Sequence, residues 1–472
     1  MKSGRLLLWV LIVVVLARLA SLGLYPLTDT TEARYGEIGR KMLATANWLT
    51  PQWEVGLPFW GKPPLSFWAS AASMAVFGVG AFAARLATLV FALATAALFW
   101  RWPHDPAPRR PAAMVAALVL LSSVLGFLIS GAVATDVFMV LGMTLSMITF
   151  WNALHERRAL DRWGFFVGLG VGLLAKGPVA LVLTGLALGL WLVWTRRWGD
   201  AWRALPWLRG LALTLALTLP WYLAAEMATP GYLRYFIVGE HWQRFTQPGW
   251  TGDLYGGGHE RPRGSIWLYA LGAAMPWTIV ALVLWWRGKP VSASARRPSP
   301  DPQMPYLLCW VLAPLILFTP ARNILEAYAL PALPAFALIT ARLFIERDAG
   351  GASSRVWLLG LVMPLVACGL LLFGRDGIEA RSQRKLLAQP HEAGTPLVYL
   401  FKRPFSAQFY SAGGALEVRD RDEALRWLAG DQAATLVVPA HEFDRLSLVA
   451  YPRWFEVARH GGYVMLARRP RS

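Results

Sequence analysis

Eleven apolar stretches, most of them near the length of a bilayer's hydrocarbon core, recur along this 472-residue chain, and short arginine-rich loops separate many of them. A helix needs ~20 apolar residues to cross that core, where every backbone polar group must be satisfied within the segment. The pattern predicts an α-helical polytopic membrane protein. Composition agrees: 56% of residues are hydrophobic and 16% charged, more apolar surface than a soluble chain can bury. The formal charge of +18 does not imply a nucleic acid partner, because the cations sit in short loops, as the positive-inside rule describes. Cys309 and Cys368 both lie inside apolar runs and read as packing residues rather than a disulfide or metal site. The N-terminal "MKSGR" precedes an apolar run too long for a signal peptide, so it reads as an uncleaved first span with a cytoplasmic N-terminus.

The basic loops fix the topology. Arg101–Arg110, His155–Arg162, Thr195–Arg203, Arg287–Asp301 and Glu346–Arg355 are all expected on the cytoplasmic side. Two apolar runs lie between the first span and Arg101, and parity allows only one of them to cross. The first, Pro64–Phe77, has fourteen residues, short of a full crossing, so it is expected to be a re-entrant or interfacial helix on the outer side. The spans are then placed at 6–24, 81–100, 111–132, 137–154, 163–175, 178–194, 208–226, 265–286, 305–319, 328–345 and 356–373. The outer segments include residues 25–80, the turns at Asp136 and Lys176, the loop 227–264, the turn Pro320–Ala327, and everything beyond Gly374, with the periplasm as the natural compartment. Two domains follow: a transmembrane unit over 1–373 and a small outer α/β domain over 374–472. In the latter, "TPLVYLF", "ATLVVPA" and "GYVMLARR" read as strands and "RDEALRWLAG" as a helix. Pro290–Pro305 reads as a flexible cytoplasmic loop.

Charge collects in the outer segments. In "YPLTDTTEARYGEIGRKM", Asp29 and Glu32 stand three apart, as in a capping box with Asp29 in the cap role. Tyr35, Ile38 and Met42 form an apolar stripe, and Glu37 and Lys41 an i, i+4 pair. One reading is an amphipathic helix on the outer leaflet with solvated charges. The other is an acidic catalytic segment. "FWGKPPLSFW" sets Lys62 on a proline-stiffened turn between Trp60 and Trp68, suited either to snorkelling or to holding a lipid phosphate. Asp136 opens a span, where a carboxylate serves as a cap, and Lys176 stands at a tight turn as a C-cap or a phosphate contact. Glu240, His241 and His259 are weak metal candidates, since their spacing matches no compact ligand motif. Arg322, Glu326 and Tyr328 share a short outer turn.

Six motifs, "DTTEARYGEI", "GKPPLSFW", "TDVFMV", "AKGPVAL", "EHWQRF" and "EAYALPALPA", occur in order. As an ordered set they resemble the bacterial membrane glycosyltransferases of the aminoarabinose-transferase and protein O-mannosyltransferase superfamily, over Met1 to about Arg347. The resemblance implies the GT-C fold, a bacterial inner-membrane location, and transfer of a sugar, with inversion, from a polyprenyl-phosphate donor to a periplasmic lipid A, other envelope lipid, glycan or protein acceptor. The partners it implies are the donor, the acceptor and membrane lipids, with no nucleic acid; no cofactor is required, and a divalent metal has only weak support. It implies Asp29 or Glu32 as the catalytic carboxylate, with Asp136 as a second acidic position. Arg34 and Tyr35 match the family's "RY", Lys62 its phosphate-binding lysine, and Tyr328 a tyrosine on the loop that closes over the donor. Arg34 or Arg322 would join Lys62 on the departing phosphate. The chain departs from the pattern at Thr31, where aminoarabinose transferases carry Asp, and at Gly61, where they carry Glu. The rival class is a lipid or sugar-lipid transporter, which would place charges at mid-membrane and often repeat its helices. Here the charges gather on one face and no repeat appears.

Overall fold

The computed structural model describes residues 2–103, 109–156, 158–247, 250–256, 260–287, 303–347, 354–390, 394–430, 433–445 and 453–468. All eleven predicted runs are helical. Among the described residues, six helices are long and apolar enough to cross a membrane: Gly4–Ser21, Ala81–Arg101, Asp136–His155, Trp207–Ala228, Glu326–Glu346 and Arg355–Phe373. Arg110–Ser122, Val179–Thr195 and Gln303–Phe318 are apolar but shorter, and Ala159–Lys176 carries charge at both ends. Cys309 packs in the core, whereas Cys368 is exposed on an outlying helix.

Two expected spans are broken. The run 111–132 divides into Arg109–Ser122 and Val124–Ile129. Ser123 separates them, leaving the helical conformation and accepting the Gly126 N–H on its hydroxyl at 3.3 Å, the N-cap chemistry that starts a new helix. The run 265–286 bends by 92° between Ser265–Ala273 and Trp277–Trp286, at Pro276, which has no N–H to continue the ladder. The Thr195–Arg203 loop also contains a short helix, Trp198–Ala204. Of the Pro290–Pro305 loop, residues 290–302 lie outside the described residues.

The residues assigned to opposite sides separate to opposite ends of the bundle. At one end Arg101 pairs with Asp161 at 2.6 Å, Asn152 donates to the Arg101 carbonyl at 3.1 Å, and Gln303 donates to the Pro103 carbonyl at 3.0 Å. At the other end, helix α1 (Lys2–Ser21) leads into α2 (Thr31–Ala44), the hairpin β1 (Gln52–Glu54) and β2 (Leu57–Pro58), the thirteen-residue α3 (Leu65–Phe77) and the span α4 (Ala81–Leu98). Tyr35, Ile38 and Met42 are buried as their spacing predicts, against Phe59, Phe67 and Met74.

The charges of α2 are not solvated. Glu37, Arg40 and Lys41 are 0%, 8% and 1% exposed. Arg40 grips Glu37 through two contacts of 2.6 and 2.8 Å. Lys41 reaches the Trp53 carbonyl, Gln408 at 3.1 Å and Glu54 at 3.6 Å. Buried charge persists only when paired, and here residues 397–468 supply part of the pairing. That region forms a five-stranded sheet from β3 (Leu397–Leu400), β4 (Ala415–Val418), β5 (Thr435–Pro439), β6 (Trp454–His460) and β7 (Tyr463–Arg468), in the order β4-β3-β5-β7-β6. β3 runs parallel to both its neighbours, and β7 antiparallel to both of its own. The three runs that read as strands are β3, β5 and β7, the first two fully buried. The predicted helix runs Arg421–Ala429, capped by Asp420, which accepts the Glu423 N–H at 2.8 Å.

Candidate active site

The site end is organised by a helical hairpin. Asp136–His155 and Ala159–Lys176 pack so closely that a Cβ on Gly142 would lie 2.6 Å from the Gly168 carbonyl oxygen, and one on Gly168 2.5 Å from that of Gly142. Small residues permit this approach, as in many membrane helix pairs. The antiparallel arrangement brings the first residue of one helix beside the last of the other, and Lys176 bonds directly to Asp136. Each charge also sits at the helix end whose dipole favours it.

Lys62 meets this hairpin from the α2–α3 connection. Its Nζ lies 3.5 Å from Glu240. Glu240 belongs to a ten-residue π-helical segment, Arg234–Gln243, a geometry often found at functional sites. Arg244, one turn on, holds Glu240 at 2.9 Å and Asp253 at 3.4 Å. The Lys176 ammonium stands 4.8 Å from the centre of the Tyr328 ring, a cation–π distance. Lys62, Lys176, Glu240, His241, Arg244 and Tyr328 line one cavity of about 110 Å³, with Met139, Phe318 and Pro331 on its apolar wall. It is a small space with three cations, one carboxylate and an apolar side.

The electrostatics keep Lys62 charged. Burial pulls the Lys62 ammonium down, but Glu240, with Tyr35 and Tyr328, outweighs it and holds the group above its ordinary value of 10.5. Burial pushes Glu240 up, and Lys62 and Arg244 overcome this to hold it below the usual glutamate value. His241 is pushed below its ordinary value by burial. Its Nδ1 lies 2.7 Å from the Phe236 carbonyl oxygen and its Nε2 3.2 Å from that of Lys176, so the ring braces the Lys176 turn.

Not every expected residue joins this cavity. Asp29 does not share it with Lys62, nor does it cap α2. It is held at the joint with the C-terminal sheet region, where the Ser406 N–H donates to its carboxylate at 3.0 Å and the Ser406 hydroxyl makes a second bond. The N-cap position falls to Thr30, without a side-chain bond. Glu32 is also committed. The fully buried Arg85 grips it through Nε and Nη2 at 2.7 and 2.9 Å, and the Thr28 N–H donates to it at 3.1 Å. Arg34 donates to the Tyr255 carbonyl at 2.7 Å and lies against Tyr35, Trp53 and Phe59. Tyr35 packs edge-on to Phe59 and Phe67. Arg322 lines an adjoining cavity of about 210 Å³ with Arg263, Asp253 and Trp250, which meets the first at Arg244, Phe245 and Asn323.

Two of the three metal candidates have other partners. Glu240 is taken by Lys62 and Arg244, both His241 nitrogens face carbonyls, and His259 lies outside the described residues. Among the described residues, no group of three or more His, Cys, Asp or Glu is placed to hold an ion. Sequence reasoning missed Arg244 and Arg85. Arg244 stands four residues after Glu240, the helical salt-bridge spacing. Arg85 gave a weaker signal, a lone arginine inside an apolar run.

Comparison with known proteins places this arrangement. The sequence profile of the dolichyl-phosphate-mannose-protein mannosyltransferase family matches residues 5–236. An undecaprenyl phosphate-alpha-4-amino-4-deoxy-L-arabinose arabinosyl transferase of Edwardsiella ictaluri is 30% identical over 354 residues, covering 72% of this chain and 59% of the relative. That of Pseudomonas savastanoi pv. phaseolicola is 30% identical over 386 residues, covering 78% and 66%. The chain thus spans roughly three fifths to two thirds of the length of these curated relatives. The crystal structure of ArnT from Cupriavidus metallidurans bound to undecaprenyl phosphate superimposes with a TM-score of 0.79, at 20% identity, over 98% of this chain and 99% of that one. Motif order, sequence relatives and fold agree: the chain is similar to the bacterial membrane glycosyltransferases of the aminoarabinose and protein O-mannosyl transferase superfamily, and it shares the GT-C fold of the solved structure.

Proposed function

We propose that this protein is an inverting glycosyltransferase that takes a sugar from a polyprenyl-phosphate donor and passes it to an acceptor on the periplasmic face of the inner membrane. The observation that carries this reading is the convergence of Lys62, Lys176 and Arg244 on one small cavity beside Tyr328. A sugar leaves a lipid phosphate when the charge developing on that phosphate is neutralised, and fixed cations in a water-poor space do this without reorganising. Lys62 and Arg244, now shared with Glu240, exchange part of that pairing for the phosphate. Tyr328 closes the apolar side against the prenyl chain. Of the three candidate carboxylates, Asp136 alone adjoins this cavity through its partner Lys176. It is assigned to accept a proton from, or orient, the incoming nucleophile from the face opposite the leaving group. Asp29 and Glu32 act at a distance, by fixing α2 and with it Tyr35. The gathering of the site's charged residues in one cavity at one end of the bundle favours transfer over transport.

The test is direct. Purified protein given a radiolabelled undecaprenyl-phosphate sugar and a mixture of envelope lipids and glycans should move label to one of them. Label that crosses a vesicle bilayer without forming a new glycoside would instead identify a transporter. Orientation is checked separately in a cysteine-free background: a cysteine at position 376 should react with an impermeant reagent in cells with a permeabilised outer membrane, and one at position 158 should not.

A further inference from the structure

We infer that the joint between the C-terminal sheet region and the first outer segment is a binding site for the phosphate headgroup of an anionic phospholipid. The joint encloses a cavity of about 310 Å³, separate from the Lys62 site and lined by Asp29, Arg381, Lys402, Arg403, Phe405 and Tyr463, with Thr30, Gln383 and Gly461 among its other walls. Its charge is unbalanced. Arg403 is already held by Glu54 at 2.6 Å. Asp29, the one carboxylate on the wall, is satisfied by the Ser406 N–H and hydroxyl. Arg381 and Lys402 are exposed, and among the described residues neither side chain has a hydrogen-bond or ion-pair partner, Lys402 acting on Asp29 only at longer range. The cavity therefore offers two uncommitted cations, beside the aromatic side chains of Phe405 and Tyr463.

Its height in the membrane points to the occupant. Asp29 follows the end of α1 at Ser21 by eight residues, and Arg381 follows the end of the last span at Phe373 by eight. These spans are neighbours: a Cβ on Gly360 would lie 3.1 Å from Val10. The last span is only 17% buried, with Leu372 and Phe373 69% and 91% exposed, as expected of a helix facing lipid. The two free cations thus stand just beyond a lipid-facing helix end, where headgroup phosphates lie and where basic residues attract anionic lipids. A lipid seated here bridges Arg381 and Lys402 and ties the C-terminal region to the last span.

The test uses the full chain in nanodiscs and measures binding of labelled phosphatidylglycerol. Arg381→Gln and Lys402→Gln should each weaken it about fivefold, and the pair roughly 25-fold, while Lys385→Gln, whose partner is Asp376, changes it by less than about twofold. Equal binding by the double variant and the parent would overturn the inference. So would displacement of the lipid by millimolar inorganic phosphate, which would mark a site for a free anion. Affinity for undecaprenyl phosphate, which rests on Lys62, is expected to be unchanged in all four variants, so failure of this site and failure of the donor site are told apart.

Discussion

Replacing Lys62 by methionine removes a charge but keeps an unbranched side chain of similar length. In the free protein Lys62 faces Glu240 at 3.5 Å. At an effective dielectric constant of ~20 that contact is worth roughly 5 kcal/mol gross, and a phosphate oxygen at hydrogen-bond distance offers somewhat more. Only the difference appears in binding, which is the ~1.5–3 kcal/mol typical of a hydrogen bond to a charged group. Undecaprenyl phosphate should therefore bind Lys62→Met roughly 10- to 150-fold more weakly. Isothermal titration in detergent, with the phosphate-free alcohol as control, measures this, and the alcohol should lose nothing. The pH profile gives a second check. The folded value of Lys62 is raised above 10.5, so its charge and the stabilisation from its pairing are fully present below the unfolded value and fade only as pH climbs through the folded one. Donor affinity of the parent should show no loss of lysine charge between about pH 6 and 9. A change of less than about twofold in Lys62→Met, or an equal loss for the alcohol, would refute the phosphate role.

Asp136→Asn should lower transfer by two or more orders of magnitude, about the scale of losing a general base, while leaving donor affinity within severalfold; equal losses in both would remove its catalytic assignment. Glu32→Gln breaks a buried pair with Arg85, and the loss of ~3–5 kcal/mol expected for stranding a buried charge should appear in thermal unfolding. An unchanged melting profile would show that the Leu22, Tyr25 and Pro26 carbonyls around Arg85 suffice. For Asp29, burial raises the folded carboxyl above its ordinary 3.8. Between the unfolded and folded values the native state binds the extra proton, so this group's contribution to stability falls as pH rises through that window. Asp29→Asn should remove that dependence and be neutral or stabilising at pH 7, and a marked destabilisation there would mean that the ionised form is needed.

What could be read from the sequence was what depends on short-range pattern. Apolar length located the helices, and the arginine loops sorted residues to two ends that the structure keeps apart. Lys62, Lys176 and Tyr328 were found because each stands where a chain turns at a helix end. The two broken spans were harder, since Ser123 and Pro276 are single polar or proline interruptions of the kind that membrane helices also tolerate. The roles of Asp29 and Glu32 were not legible, because their partners are Ser406 and Arg85, and nothing local announces a contact across 377 or 53 residues. The strands Ala415–Val418 and Trp454–His460 were missed for another reason. One is short and follows two glycines, and the other mixes charge with apolar residues at the sheet's edge.

The bonds that seat α2 join residues made far apart in translation. Leu27 to Tyr410, Asp29 to Ser406 and Lys41 to Gln408 are separated by 383, 377 and 367 positions. The first four helices are thus made long before Ser406, Gln408 and Tyr410: the carboxylates beside Lys41, Glu37 and Glu54, arise with it, but the hydrogen bonds that seat α2 wait for residues 406–410 to emerge. A nascent chain stopped short of residue 400 would hold its helices in the bilayer yet leave the Leu27 N–H, the Asp29 carboxylate and the Lys41 ammonium each short of a hydrogen-bond partner. The helix Phe405–Tyr410 thus closes a corner that the membrane helices alone leave open.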